Sequence, residues 1–179
     1  DQILAIAQDP KNGVDEIAIA ALARAYANSL ADPDLLDMFK SGLLTLPSVS
    51  VLESRMTPAD PVALFHARRT IEANLGRMLA PQIKSVLTDE NTVIMAKTDG
   101  GRALLNRLLG LAITAGDNDA IERAAKQVHD QNMTLSQGAL MALNHCDHPA
   151  RAIALQAFHD RWQDSPLVME KWFMMESMS

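Results

Sequence analysis

Metal or nucleophilic chemistry in this chain would fall to its five histidines and single cysteine. The stretch His145-Cys146-Asp147-His148 gathers two imidazoles and a thiol within four residues, and both ligand types suit zinc. A structural zinc site takes four ligands, usually at wider spacing, and no second cluster lies near in sequence. Cys146 also continues an apolar stripe through Leu135, Ala139, Ala142 and Leu143. A small buried hydrophobe beside exposed helix-end histidines is therefore the simpler account. A Cys-His nucleophilic pair fails on direction, because sequence neighbours on a helix point about 100° apart. No glycine-rich loop offers an oxyanion or phosphate cradle, Asp99-Gly100-Gly101 being too short. His-Glu-x-x-His, which puts two imidazoles and a general base on one helix face, does not occur: His66 precedes Ala67-Arg68-Arg69, and His129 precedes Asp130-Gln131-Asn132.

Two further groups could bind something. Arg68-Arg69, with Arg77 and Lys84, could suggest an anion-binding face. Arg69 and Arg77 lie about 80° apart on a helix while Arg68 points elsewhere, so solvated heads on buried stems are expected. Met169, Met174, Met175 and Met178 invite a peptide-binding reading, since thioethers adapt to varied partners. Helical spacing through Met169, Trp172, Phe173 and Glu176 favours packing, with Trp162 and Trp172 anchoring neighbouring hairpins.

The elements carrying these residues read as helices. Hydrophobic content is 48% but aromatics are only 4%, so the core must be built from Ala, Leu, Ile and Met, which are strong helix formers. Eight glycines and eight prolines serve as punctuation. A net charge of −6 and a pI near 5.3 argue against a nucleic-acid surface. The longest apolar run, Ile17 to Ala23, is far short of a membrane span. One cysteine rules out an internal disulfide and fits a reducing, cytoplasmic compartment. The chain starts at Asp1 inside a helical pattern, as expected for a piece of a longer protein.

About nine helices follow from the pattern. Residues 17–27 are almost wholly apolar, as in a helix buried on most sides. Asp32-Pro33 and Asp60-Pro61 each predict a helix start, with Asp capping and Pro at the first position. Leu64, Ala67, Ile71, Leu75 and Met78 form one stripe, which Pro81 should divide. Residues 91–97 are ambiguous, and Asp99-Gly100-Gly101 predicts a break. Residues 115–119 predict a turn with a cap, followed by a face of Ile121, Ala124, Ala125 and Val128. Thr134-Leu135-Ser136-Gln137 predicts a capping box. His148-Pro149 opens a helix carrying Ile153, Ala154, Ala157 and Phe158, and Ser165-Pro166 opens the last. Two hairpins of nearly equal length, 102–131 and 134–163, predict an all-α fold of antiparallel hairpins stacked as an armadillo- or HEAT-like α-solenoid.

Two segments carry a family resemblance. The run Leu167-Val168-Met169-Glu170-Lys171-Trp172-Phe173, and Leu43-Leu44-Thr45-Leu46-Pro47-Ser48 followed by Asp60-Pro61, resemble the C-terminal helical, armadillo-like domain of bacterial aminopeptidase N, a zinc metallopeptidase family of gluzincin type. The resemblance implies a parent with a β-rich N-terminal domain, a thermolysin-like catalytic domain, a small β domain and this superhelix. It implies that residues 1–179 are one helical-repeat domain, the first half of the C-terminal domain, with further helices after Ser179. In that family the helical domain closes over the catalytic cleft and limits access of peptide N-termini.

The family's zinc ligands, general base and Gly-x-Met-Glu-Asn loop have no counterpart here, so no catalytic, cofactor-binding or metal residue is assigned. Zinc is expected in the parent enzyme and none in this segment. The expected partners are the remaining domains of the parent chain, notably the catalytic domain, and peptide substrates, with no nucleic acid and no membrane. The alternative is a free-standing helical-repeat module that binds protein segments on a concave face. A stand-alone enzyme ranks third.

Overall fold

Asp60-Pro61 shows how this sequence starts its helices. The Asp60 carboxylate accepts from the Ala63 N–H at 2.9 Å, and Pro61 fills the first helical position, opening α5, Pro61–Met78. Asp15 caps α2 (Glu16–Ala31), Thr88 caps α7 (Asp89–Met95), Thr98 caps α8 (Asp99–Thr114) and Asp117 caps α9 (Asn118–Gln127). The other helices are α1 (Gln2–Gln8), α3 (Asp37–Leu43), α4 (Val49–Glu53), α6 (Ala80–Val86), α10 (Met133–Leu143), α11 (Ala150–Trp162) and α12 (Pro166–Ser177), with a 3-10 turn at Pro10–Asn12. The computed structural model describes residues 1–144 and 146–177, and among the described residues all regular structure is helical. Among the described residues twelve α-helices stand where about nine were expected, the excess being short ones such as α4 and α7.

Several expected boundaries move, each for a local reason. Asp32-Pro33 ends a helix instead of starting one: Asp32 closes α2 and its side chain accepts from the Asp34 N–H in a turn. Asp99-Gly100-Gly101 is no break but the first turn of α8, where the Thr98 hydroxyl accepts from the Gly101 N–H at 3.0 Å. Both glycines permit close approach. A Cβ on Gly100 would lie 2.9 Å from the Met38 nitrogen, and one on Gly101 2.7 Å from the Met95 carbonyl carbon. Thr134 is not the cap of α10; Asn132 takes the Thr134 and Leu135 N–H groups, while the Ser136 hydroxyl donates to the Val128 carbonyl at 2.6 Å. Pro81 divides its helix as expected, with Leu79 as the joint between α5 and α6.

The core is mainly aliphatic, with Phe158 and Tyr26 its buried aromatics. Leu64, Ala67, Ile71 and Leu75 are buried along α5, although Met78 is exposed at the end of that stripe. Leu104, Leu108 and Leu111 of α8 and Ala139, Leu140 and Leu143 of α10 continue it. Each buried leucine contributes about 1.5–3 kcal/mol relative to exposure. On α11 the buried face runs Ala154, Leu155 and Phe158, leaving Ile153 68% exposed against expectation. On α12, Met169 and Met175 are buried while Phe173 faces out; Met178 lies outside the described residues.

Helix α8 lies against α3, α5, α9 and α10. Contacts between α5 and α8, α8 and α10, and α9 and α11 join helices beyond the immediate neighbour, which is how stacked hairpins bury one continuous core. Among the described residues, no helix is long and apolar enough to cross a membrane.

Candidate functional site

Glu72 lies on the buried side of α5 between Ile71 and Leu75 and is 6% exposed. A carboxylate there must be paired, because taking an isolated charge out of water is costly. Arg68, one turn earlier, donates from Nη1 to Glu72 Oε2 at 3.1 Å. Arg107, from α8, donates from Nη1 to the other oxygen at 2.9 Å. The same guanidiniums hold a stretch of backbone. Arg107 Nε and Nη2 donate to the Leu44 carbonyl at 2.8 and 2.6 Å, and Arg68 Nε donates to the Pro47 carbonyl at 2.9 Å. The segment joining α3 to α4 is thereby fastened to α5 and α8. Tyr26 of α2 stands in this field: burial pushes its phenol pKa up, with Arg107 opposing and Glu72 reinforcing.

This arrangement corrects the expectation for Arg68, whose head is engaged and not solvated. Arg107 and Glu72 were not singled out in the sequence. The available signal was a glutamate inside an apolar stripe with an arginine four residues before it. Arg77 stays exposed, and Lys84 reaches Asp119 at 3.6 Å and Asp117 at 3.9 Å, so these cations do not join Arg68.

A cleft of about 340 Å³ opens beside the clasp between α5, α8 and α10. Phe65, Arg68, Arg69, Arg107, Gly110 and Met141 line it. The Arg69 guanidinium sits 5.8 Å from the centre of the Phe65 ring.

The histidine-cysteine stretch assembles no reactive centre among the described residues; His145 lies outside them. Cys146 is half-buried and its thiol donates to the Leu143 carbonyl at 3.1 Å. Burial pushes this thiol pKa up, against hydrogen bonding and the nearby Arg151 charge, which is the reverse of what a nucleophile needs. His148 Nδ1 accepts from the Ala150 N–H at 3.1 Å, so that ring nitrogen caps the start of α11. Among the described residues, no three His, Cys, Asp or Glu side chains are grouped to hold a metal ion. Trp172 Nε1 donates to the Leu155 carbonyl at 2.9 Å, tying α12 to α11, whereas Trp162 Nε1 is buried without a hydrogen-bond partner among the described residues.

Comparison with known proteins places the chain. Residues 1–179 match the family described as "Domain of unknown function (DUF3458_C) ARM repeats". The chain belongs to the DUF3458_C family. Aminopeptidase N of Caulobacter vibrioides (strain ATCC 19089 / CIP 103742 / CB 15) is 33% identical over 184 residues, covering 98% of this chain and 21% of that protein. Aminopeptidase N of Escherichia coli (strain K12) is 26% identical over 162 residues, covering 88% of this chain and 19% of that protein. The chain thus spans about a fifth of the length of these curated relatives. Among solved structures, Legionella pneumophila aminopeptidase A in complex with aspartic acid superposes with a TM-score of 0.73 at 20% identity, over 97% of this chain and 22% of that one. At that identity the likeness is one of fold. The ARM-repeat solenoid and the kinship with aminopeptidase N expected from residues 43–48 and 167–173 both stand.

Proposed function

We propose that this DUF3458_C chain is the first half of the C-terminal helical domain of a zinc aminopeptidase that removes N-terminal amino acids from peptides in the cytoplasm. It closes over the active-site cavity of the catalytic domain and limits which substrates enter. The observation that carries this reading is the alignment of 88% and 98% of the chain with about one-fifth of two aminopeptidases N.

The chain's own residues support a steric role. Its buried apolar side chains pack on one another and its buried charges fasten backbone, while Ile17, Leu36, Phe39 and Leu167 remain exposed. Among the described residues no three His, Cys, Asp or Glu side chains are grouped to hold a metal, and the Cys146 thiol and His148 Nδ1 make local hydrogen bonds. In this reading the zinc and its ligands lie in other domains of the parent. What this domain supplies is a wall that restricts the geometry of approach and excludes bulk water.

The test has two arms. Purified residues 1–179 should give no hydrolysis of aminoacyl p-nitroanilides, with or without added zinc; turnover by the chain alone overturns the reading. The native reading frame should carry a His-Glu-x-x-His upstream, whereas a short frame without it would favour a free-standing repeat module.

A further inference from the structure

We infer that the cleft between α5, α8 and α10 binds an acidic peptide segment, a carboxylate side chain flanked by apolar ones. The inference goes beyond the peptidase reading and holds for this domain in any parent.

Charge comes first. Arg68, Arg69 and Arg107 against Glu72 give the lining a net charge of +2, while the whole chain carries −6. The cleft is a local reversal of sign, and such a reversal between low-dielectric walls concentrates anions. Glu72 offsets one of the three positive charges, and both of its oxygens accept from arginines, so it presents no unpaired acceptor to repel an incoming carboxylate. A guanidinium carries five N–H donors in a planar fork suited to carboxylates. Arg107 spends three on Glu72 and Leu44, leaving donors on a side chain that is 16% exposed. Its position is fixed before any ligand arrives, which lowers the ordering cost of binding.

Shape and apolar surface select a peptide over a free anion. Phe65 and Met141, 37% and 44% exposed, offer apolar contacts on α5 and α10 at the two sides. Gly110 of α8 leaves the floor open, since a Cβ there would meet nothing within 4 Å. Three arginines in one cleft are too short a basic track for a nucleic-acid backbone.

The test is calorimetric titration of the whole chain, at low salt, with Ac-Leu-Glu-Leu-NH2, its Gln counterpart, acetate and inorganic phosphate. The Glu peptide should bind about tenfold or more tightly than the Gln peptide, and weaken as salt rises. Gly110→Glu should weaken binding about tenfold without lowering the melting temperature, because it fills the open floor with negative charge at a helical glycine. Arg69→Gln, which leaves the Arg68–Glu72–Arg107 clasp in place, should weaken it in the same direction and decides the matter if Gly110→Glu melts early. Equal affinity for the two peptides, no binding of either, unchanged affinity in both variants, or acetate or phosphate matching the Glu peptide would each overturn the inference.

Discussion

Replacing Glu72 by Gln removes the anion that two arginines share while keeping the side-chain volume. The amide oxygen can still accept from one guanidinium, but the NH2 group faces the other. Hydrogen bonds to charged groups are worth about 1.5–3 kcal/mol and neutral ones about 0.5–1.5. Demoting one bond and losing the other therefore costs about 2–4 kcal/mol. Breaking a fully buried ion pair costs about 3–5 kcal/mol. The lower figure fits here, because the arginine side chains are 21% and 16% exposed and water screens part of the loss. For a chain of 179 residues a loss of 1 kcal/mol lowers the melting temperature by about 2–4 °C, so Glu72→Gln should melt on the order of 10 °C early. Thermal melts followed by circular dichroism at 222 nm would show this. The control is Lys84→Ala at an exposed pair, 61% against 87%, which should stay within about 0.5 kcal/mol of wild type. A Glu72→Gln melt within about 2 °C of wild type would refute the clasp as a stabilising element.

Three other perturbations probe different levels of the fold. Gly101→Ala places a methyl against the Met95 carbonyl, so α8 must separate from the end of α7; a loss of about 2 kcal/mol or more in urea unfolding is expected, and a gain, as usual for Gly→Ala in a helix, would refute the packing. Asp117→Ala removes the cap of α9, which should cost about 1 kcal/mol and speed amide exchange of Ala120, whose N–H it binds at 3.2 Å. Cys146 and Tyr26 both have native pKa values raised above their ordinary 9.0 and 10.0. The native state keeps these protons longer than the unfolded chain, so their contribution is complete below pH 9 and is lost as pH rises through the native values. Melting temperature should thus fall above pH 9, and less steeply in the double variant Tyr26→Phe, Cys146→Ala; identical slopes would refute the assignment.

What could be read from the sequence was local, and what could not was long-range. Asp60-Pro61, Pro81 and the turn before Asn118 act through groups a few residues away, so their spacing states their effect. Gly100 and Gly101 misled because the reason for them is another helix: Met38 and Met95 press where a side chain would stand. Ile153 misled because either of two adjacent faces of α11 is apolar, and only the neighbours decide which is buried. The clasp was least legible, since Arg107 meets the Leu44 carbonyl across 63 positions and no periodicity encodes that.

Helix-to-backbone hydrogen bonds, the clasp in one case and Trp172 in the other, give a physical content to the two segments that carry the aminopeptidase N resemblance. In the first, the Leu44 and Pro47 carbonyls are the acceptors that Arg107 and Arg68 hold, and Leu44 and Leu46 are buried beneath them. In the second, Trp172 donates to the Leu155 carbonyl and Met169 is buried. In both places a side chain on one helix is fastened to backbone from another part of the chain. Such fastening constrains the donor side chains, because an orphaned buried carbonyl or carboxylate costs kilocalories. It follows that replacing Arg68, Glu72 and Arg107 together by methionine should still destabilise the chain. Uncharged substitution of a buried triad is often tolerated, but here the Leu44 and Pro47 carbonyls would lose their donors. A triple variant as stable as wild type would show that the three charges serve only one another.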